Sequence, residues 1–276
     1  MALKELYKQI DELRQHIAVL SPMKEEYRDR LWKKFRLEFN WNSNHLEGNT
    51  LTYSQTELLL IFDETNGGHT MREYEEMKAH DVALKMVQEL AGDQERPLTE
   101  TFIKQLNKLI LVRPFWKAAI TLDGQHTQRE ISIGEYKKTP NSVRLQNGEM
   151  FHFAMPEETA AKMGDLMDFY RTNSTNRETH ALWLATMIHY KFVRIHPFDD
   201  GNGRVARLIM NYILLKNNFP PLIIKSADKK GYLKALHMAD VGDFESFESY
   251  LAAQLIVSFE RTLQAAKGEP IDEHER

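Results

Sequence analysis

Between about Glu178 and Arg194 the chain places Leu182, Trp183, Leu184, Met187, Ile188, Tyr190, Phe192 and Val193 almost all the way around a helical wheel. A helix that is apolar on every side has to lie in the middle of a domain, with other elements packed around it. A second helix follows at Arg204–Lys216, with Leu208, Ile209, Tyr212, Ile213 and Leu215 as its apolar set, and Pro220-Pro221 cannot continue it. A buried helix pair needs further helices as cover, and the spacing supplies them. Helical patterns run over Tyr53–Phe62, Met71–Leu90, Glu100–Leu111, Glu157–Arg171, about Ser226 to Met238, and Phe244 to Ala265.

The front of the chain shows Leu3, Leu6, Ile10, Leu13, Ile17 and Leu20 in alternating steps of three and four. That seam packs on the chain's own core or, alternatively, on a second copy in a homodimer. Ser21-Pro22 ends this helix, another spans about 24–48, and Gly48 is a natural stop. From Thr121 to Phe153 the pattern changes. Ile131-Ser132-Ile133 and Met150-Phe151-His152-Phe153 are strand-like, and Asn147-Gly148 is a hairpin turn dipeptide. The fold class expected is mainly α, a helical bundle with a small β-hairpin flap.

With 276 residues, 42% hydrophobic and 28% charged, the chain can build one large domain, or one domain with a helical extension. It has no cysteine, which removes disulfides, thiolate metal sites and a cysteine nucleophile, and fits a reducing compartment. No apolar run reaches the length of a membrane span, and the N-terminus lacks a signal-peptide core. The setting expected is cytoplasmic, without a membrane partner. A net charge of −4 gives no field for general nucleic-acid binding.

The loop between the two central helices carries the chemistry. It reads His196-Pro197-Phe198-Asp199-Asp200-Gly201-Asn202-Gly203-Arg204-Val205-Ala206-Arg207. Backbone amides at the helix start near Gly203 are unpaired, and the helix dipole favours an anion there. Arg204 and Arg207 share a helical face, where they oppose that dipole unless an anion relieves it. Asp200 can hold Mg²⁺ against phosphate oxygens, and the His196 imidazole can take a proton near neutral pH. The set suits a nucleoside triphosphate. No other His/Asp/Glu cluster has the spacing of a zinc site. His180 and His189 read as core or loop-supporting residues, and Lys137-Lys138 as solvated. His45 has no assigned chemistry.

The run from His196 to Arg207 resembles the signature of the Fic (Fido) family, whose members mostly transfer AMP from ATP to a hydroxyl of a target protein. The similarity continues more loosely from about Glu100 to Ile256, including Gly134-Glu135-Tyr136-Lys137 and Lys230-Gly231-Tyr232. The resemblance implies a Fic-fold bundle with its flap near the active site. Residues 1–98 would be an N-terminal helical region, 100–256 the catalytic core, and 257–276 a helix end and polar tail. It implies that His196 is the base and that Asp200 holds Mg²⁺. The backbone of Gly201, Asn202 and Gly203 would cradle the phosphates. Arg204 would contact the β-phosphate, Arg207 would bind the γ-phosphate, and Phe198 would anchor the loop. Glycine at 203, where a kinase-like branch carries lysine, favours AMP transfer. Tyr232 would line the adenine pocket with Leu233, which stands where a second tyrosine is frequent, and Asp240 would lie near the base. Asn141, Ser142 and Val143 would form the flap that pairs with the target by strand addition.

Ser43-Asn44-His45-Leu46-Glu47-Gly48 puts Ser43 and Glu47 on one helical face, with a glutamate at a helix C-terminus where the dipole disfavours it. Ser-x-x-x-Glu-Gly resembles the inhibitory helix signature of the same family, which implies that Glu47 pairs with Arg207 and holds the enzyme off. The expectation is therefore an autoinhibited protein adenylyltransferase, using ATP and Mg²⁺, acting on Ser, Thr or Tyr of a target protein and on itself. The alternatives are transfer of another nucleotide such as UMP, removal of AMP, or a non-catalytic nucleotide-binding module. Many relatives append a winged-helix DNA-binding domain. The sequence ends at Arg276, so DNA binding by this chain is not expected.

Overall fold

The computed structural model describes residues 2–120, 125–144 and 150–271. The helices among them are α1 (Leu3–Val19), α2 (Glu25–Leu46), α3 (Tyr53–Phe62), α4 (Met71–Gly92), α5 (Glu100–Leu111), α6 (Pro156–Ser174), α7 (Ala181–Ile195), α8 (Asn202–Lys216), α9 (Lys229–Asp240) and α10 (Phe244–Lys267). A 3-10 turn at Ser226–Asp228 leads into α9. Several helices start on the side chains that such starts require. Thr52, Thr70, Thr99 and Asp243 each accept a backbone N–H from the first turn, worth about 1 kcal/mol apiece.

The centre is the pair α7 and α8. Leu182, Leu184, Ile188 and Phe192 of α7 and Val205, Leu208, Ile209 and Tyr212 of α8 are all at most 2% exposed. One apolar core draws on residues from Leu6 to Ile271 and includes Phe35 and Phe39 of α2 and Leu84 and Val87 of α4. The leading seam is used internally. Leu6 and Ile10 are buried, α1 packs along α10, and the Tyr7 hydroxyl donates to Glu248 Oε1. Leu6 and Ile10 of the seam are therefore covered within the chain itself.

The strands depart from the expected single hairpin. β1 (Phe115–Ile120) pairs antiparallel with β2 (His126–Ile131), and β3 (Ser142–Arg144) pairs antiparallel with β4 (Met150–His152). The run at Ile131 ends one hairpin and the run at Met150 belongs to another, so the two do not pair with each other. Both hairpins are two-stranded and lie against the surface. The described part of β2 buries only Ile131 fully, so the period-two pattern that marks a half-buried strand is missing. The Asn147-Gly148 turn and the tail beyond Ile271 lie outside the described residues.

Candidate active site

His196 ends α7 in the left-handed conformation, φ 51° and ψ 60°, a shape that costs a non-glycine residue about 1–2 kcal/mol. Its neighbours hold it there. The His196 N–H closes on Phe192 O at 2.9 Å. Lys137 grips both sides of it, with Nζ donating to Ile195 O at 3.1 Å and its backbone N–H to Pro197 O at 2.8 Å. The Phe153 ring stacks on the imidazole at 4.0 Å with an interplanar angle of 17°. Burial first, then the Lys137 charge, push the His196 pKa down to about 4. The ring is neutral at physiological pH, the state a base must occupy. Lys137 is itself pushed down to about 8 by burial, partly opposed by Asp199. The expectation that both lysines of this pair are solvated is corrected at Lys137, which is 2% exposed. Lys138 does stay at the surface, 3.1 Å from Glu135.

The loop is closed by side chains. Phe198 is fully buried. Asn202 Oδ1 accepts the Phe198 N–H at 2.9 Å and its Nδ2 donates to Phe198 O at 2.8 Å. Asn202 thus contributes a side-chain staple as well as backbone at the helix start. Gly201, the residue before α8, has φ 78°. Asn107 on α5 is buried and bridges segments far apart in sequence, donating to Asp200 O and accepting from Gly134 N, both at 2.8 Å. Asp200 Oδ1 accepts the Gly201 N–H at 2.6 Å, and Oδ2 meets Lys117 Nζ of β1 at 2.6 Å. Burial opposes its ionisation, but Lys117 and Arg204 hold the carboxyl below the ordinary range. Among the described residues no group of three or more His, Asp or Glu could hold a metal ion. A lone ionised carboxylate beside a phosphate cradle fits Mg²⁺ of the kind that keeps its waters and takes its other ligands from phosphate.

Both motif arginines already face carboxylates from the N-terminal helices. Arg207 Nε donates to Ser43 Oγ at 2.9 Å, and Nη2 donates to Ser43 O at 2.9 Å and to Glu47 Oε1 at 2.7 Å. The expected pairing of Glu47 with Arg207 is thus present, and Ser43, on the same helical face, joins it. Loss of water works against the Glu47 charge, yet Arg207 and Arg204 keep its pKa lowered. A Cβ on Gly203 would lie 2.2 Å from Glu47 Oε1 and 3.1 Å from Arg207 Nη1. The Glu47 carboxylate therefore sits on the opening of α8, where the unpaired amides favour an anion. Behind it, Ser43 Oγ meets His80 Nε2 at 3.2 Å, His80 Nδ1 meets Asn40 Oδ1 at 2.6 Å, and Asn40 Nδ2 donates to Asp81 Oδ1 at 2.9 Å. Burial, then Arg204 and Arg207, hold the His80 pKa far below its usual value. Arg204 Nη1 donates to Glu76 Oε2 at 2.6 Å.

The remaining expected residues divide. Tyr232 is buried, with its hydroxyl 3.1 Å from His189 Nε2 and Arg207 and Glu47 within electrostatic reach. Leu233 is 41% exposed on the next position of α9. Asp240 ends α9 in an ion pair with Arg194, Nε to Oδ1 2.7 Å, and accepts from the Tyr190 hydroxyl at 3.2 Å. It is tied to the end of α7. Asn141 Nδ2 donates to Phe198 O at 3.0 Å, which fastens the second hairpin to the motif loop. Ser142 and Val143 lie in β3 opposite His152 and Phe151. His180 caps α7, accepting from Leu182 N at 3.2 Å, and His45 is exposed beside Trp41. Five residues that shape the site were given no part in it from sequence: Glu76, Asn107, Lys117, Lys137 and Phe153. Lys137 and Phe153 fall in stretches already marked, the first in the Gly-Glu-Tyr-Lys segment and the second in a strand-like run. The other three have no local signal.

A model of the Fic/DOC family matches residues 97–214. The chain is similar to a Fic domain containing signaling protein from Bacteroides thetaiotaomicron, a crystal structure 45% identical with a TM-score of 0.88. The match covers 96% of this chain and 99% of that one. It is 29% identical to protein adenylyltransferase Fic of Nematostella vectensis over 95% of this chain and 56% of the relative. Against protein adenylyltransferase fic-1 of Caenorhabditis elegans it is 28% identical, over 86% of this chain and 43% of the relative. The chain spans about half the length of the curated relatives it matches. This chain belongs to the Fic domain family.

Proposed function

We propose that the protein transfers AMP from ATP to a Ser, Thr or Tyr hydroxyl of a target protein, and of itself, and that Glu47 restrains it. The observation that carries this is the Glu47 carboxylate resting over Gly203 on Arg207: one anion occupies the place of another. In the productive arrangement the neutral His196 takes the hydroxyl proton. The freed oxygen bonds to the α-phosphorus, the bond to the β-phosphate oxygen breaks, and pyrophosphate departs. The amides at the start of α8, with Arg204 and Arg207, carry the phosphate charge, and Asn141 anchors the hairpin against which the target strand would lie. Asp200 would hold Mg²⁺, which supplies further neutralisation of that charge. We infer a cytoplasmic setting from the cysteine-free sequence.

The test compares wild-type with Glu47→Gly protein, using ATP labelled at the α-phosphate and lysate as acceptor. Releasing a part-buried Arg–carboxylate pair exchanges a few kcal/mol, so label incorporation should rise about 10²-fold. Mass spectrometry should show an added AMP residue. Equal incorporation by the two proteins would remove the restraint. Addition of UMP alone would move the chemistry to another nucleotide.

A further inference from the structure

Glu76 lies on α4, far from the motif in sequence, yet it holds Arg204 as closely as Glu47 holds Arg207. Its Oε2 takes Arg204 Nη1 at 2.6 Å, and its Oε1 lies 2.6 Å from Arg72 Nε one helical turn earlier. Arg72 is tied down in turn, with its guanidinium 3.6 Å from the centre of the Phe115 ring and Nη2 donating to Leu111 O at 3.1 Å. Phe115 opens β1, the strand whose Lys117 holds Asp200. One surface element thus bears on both Asp200 and Arg204. A cavity of about 330 Å³ opens beside these groups, lined by Glu47, Arg72, Glu76 and Arg204 among others.

Glu47 and Glu76 differ in how readily they can leave. The Glu47 side chain is 35% exposed and caps the last turn of α2, whereas Glu76 is 15% exposed with each oxygen on a separate arginine. Glu76 grips Arg204 through Nη1 and leaves Nε buried with no partner. A buried N–H without a partner is rare and destabilising, and a phosphate oxygen would complete it.

We propose that Glu76, steadied by Arg72, is a positioning residue that presents Arg204 to the departing phosphates and does not restrain the enzyme. This rests on the transfer reaction proposed above, with Arg204 facing the leaving pyrophosphate. The N-terminal helices then serve catalysis as well as restraint.

The experiment uses full-length Glu47→Gly protein with ATP and Mg²⁺. Adding Glu76→Gln should lower kcat for AMP transfer about tenfold while the KM for ATP moves less than threefold, and Glu76→Asp should recover part of the loss. Arg72→Met, which leaves Glu76 on Arg204, should give a smaller loss of the same kind. In an Arg204→Met background Glu76→Gln should cost nothing more, because its effect runs through that guanidinium. Increased transfer by Glu76→Gln would make Glu76 a second restraint and overturn the inference. So would an unchanged kcat, or an equal loss with Arg204 absent. If Glu47→Gly protein with Glu76 intact transferred no AMP, the underlying reaction would fail and this inference with it.

Discussion

Arg207 meets three oxygens within 2.9 Å and Arg204 meets a carboxylate at 2.6 Å, whereas His196, in the same loop, meets a phenyl ring and the nearby charge of Lys137. The side proposed to take phosphate is built from permanent charges, each balanced by a counter-charge from α2 or α4. The side proposed to take the hydroxyl is built from a group that must stay uncharged, and burial keeps it so. The difference follows from the two tasks. Guanidinium groups cannot be neutralised, so a site made of them needs substitute anions before the nucleotide arrives. An imidazole can be neutralised, and desolvation does it without a partner.

The sharpest way to break this division is His196→Ala in the Glu47→Gly background. AMP transfer should fall by roughly 10² to 10⁴, the usual contribution of a positioned base. ATP affinity, read by calorimetry, should stay within a few-fold. A parallel loss of affinity would mean that the two sides are one unit.

Stability against pH comes next in size. Burial is the first cause that lowers His80, His189 and His196, the second to about 3 and the third to about 4. In the unfolded chain each would bind a proton near pH 6.5. Between that value and the folded values the unfolded state holds more protons, so stability is full above pH 6.5 and is lost as pH falls. His189 and His196 each contribute about 1.4 kcal/mol per pH unit below that value, and His80 adds a loss in the same direction. Urea midpoints at pH 7.5 and 5.5 should show the drop. His196→Ala should remove part of the slope, the share of the hydroxyl side, since His80 and His189 both feel Arg207. A flat profile would end the argument that burial holds these rings neutral.

The smallest effect is expected from Lys137→Met in the Glu47→Gly background. Losing the Nζ grip on Ile195 O should let His196 relax from its left-handed shape and reduce kcat about tenfold. The KM for ATP should be unchanged, and Lys137→Arg should restore most of the rate. A loss in KM instead would put Lys137 on the phosphate side.

Much of this was legible in the chain. The helices declare themselves because each buries one face, and α7 because it buries nearly all of its faces. The motif is legible because a loop and the helix start after it are contiguous, so His196, Asp200 and both arginines arrive in order. Glu47 could be read from a short pattern of its own. Other parts were illegible for physical reasons. The strand Phe115–Ile120 belongs to a two-stranded surface hairpin and lacks the alternation that a core imposes. Glu76, Lys117 and Asn107 act through partners that are 128, 83 and 93 positions away. A charged or amide residue on a helix looks the same in sequence whether it faces water or a buried guanidinium. Asp240, which the resemblance placed near the nucleobase, adds a partner that no local pattern announced, Arg194 at the end of α7.

The missing methyl group at position 203 has an evolutionary consequence. The carboxylate proposed to silence the site leans on bare backbone, where a Cβ would meet its Oε1, and the phosphate proposed to replace it would lean there too. A side chain there would press on both visitors, so a lineage that lost the proposed brake by this route would alter its phosphate seat in the same step. Escape from silencing is therefore channelled to the far end of the contact, at residue 47, which the proposed transfer does not use.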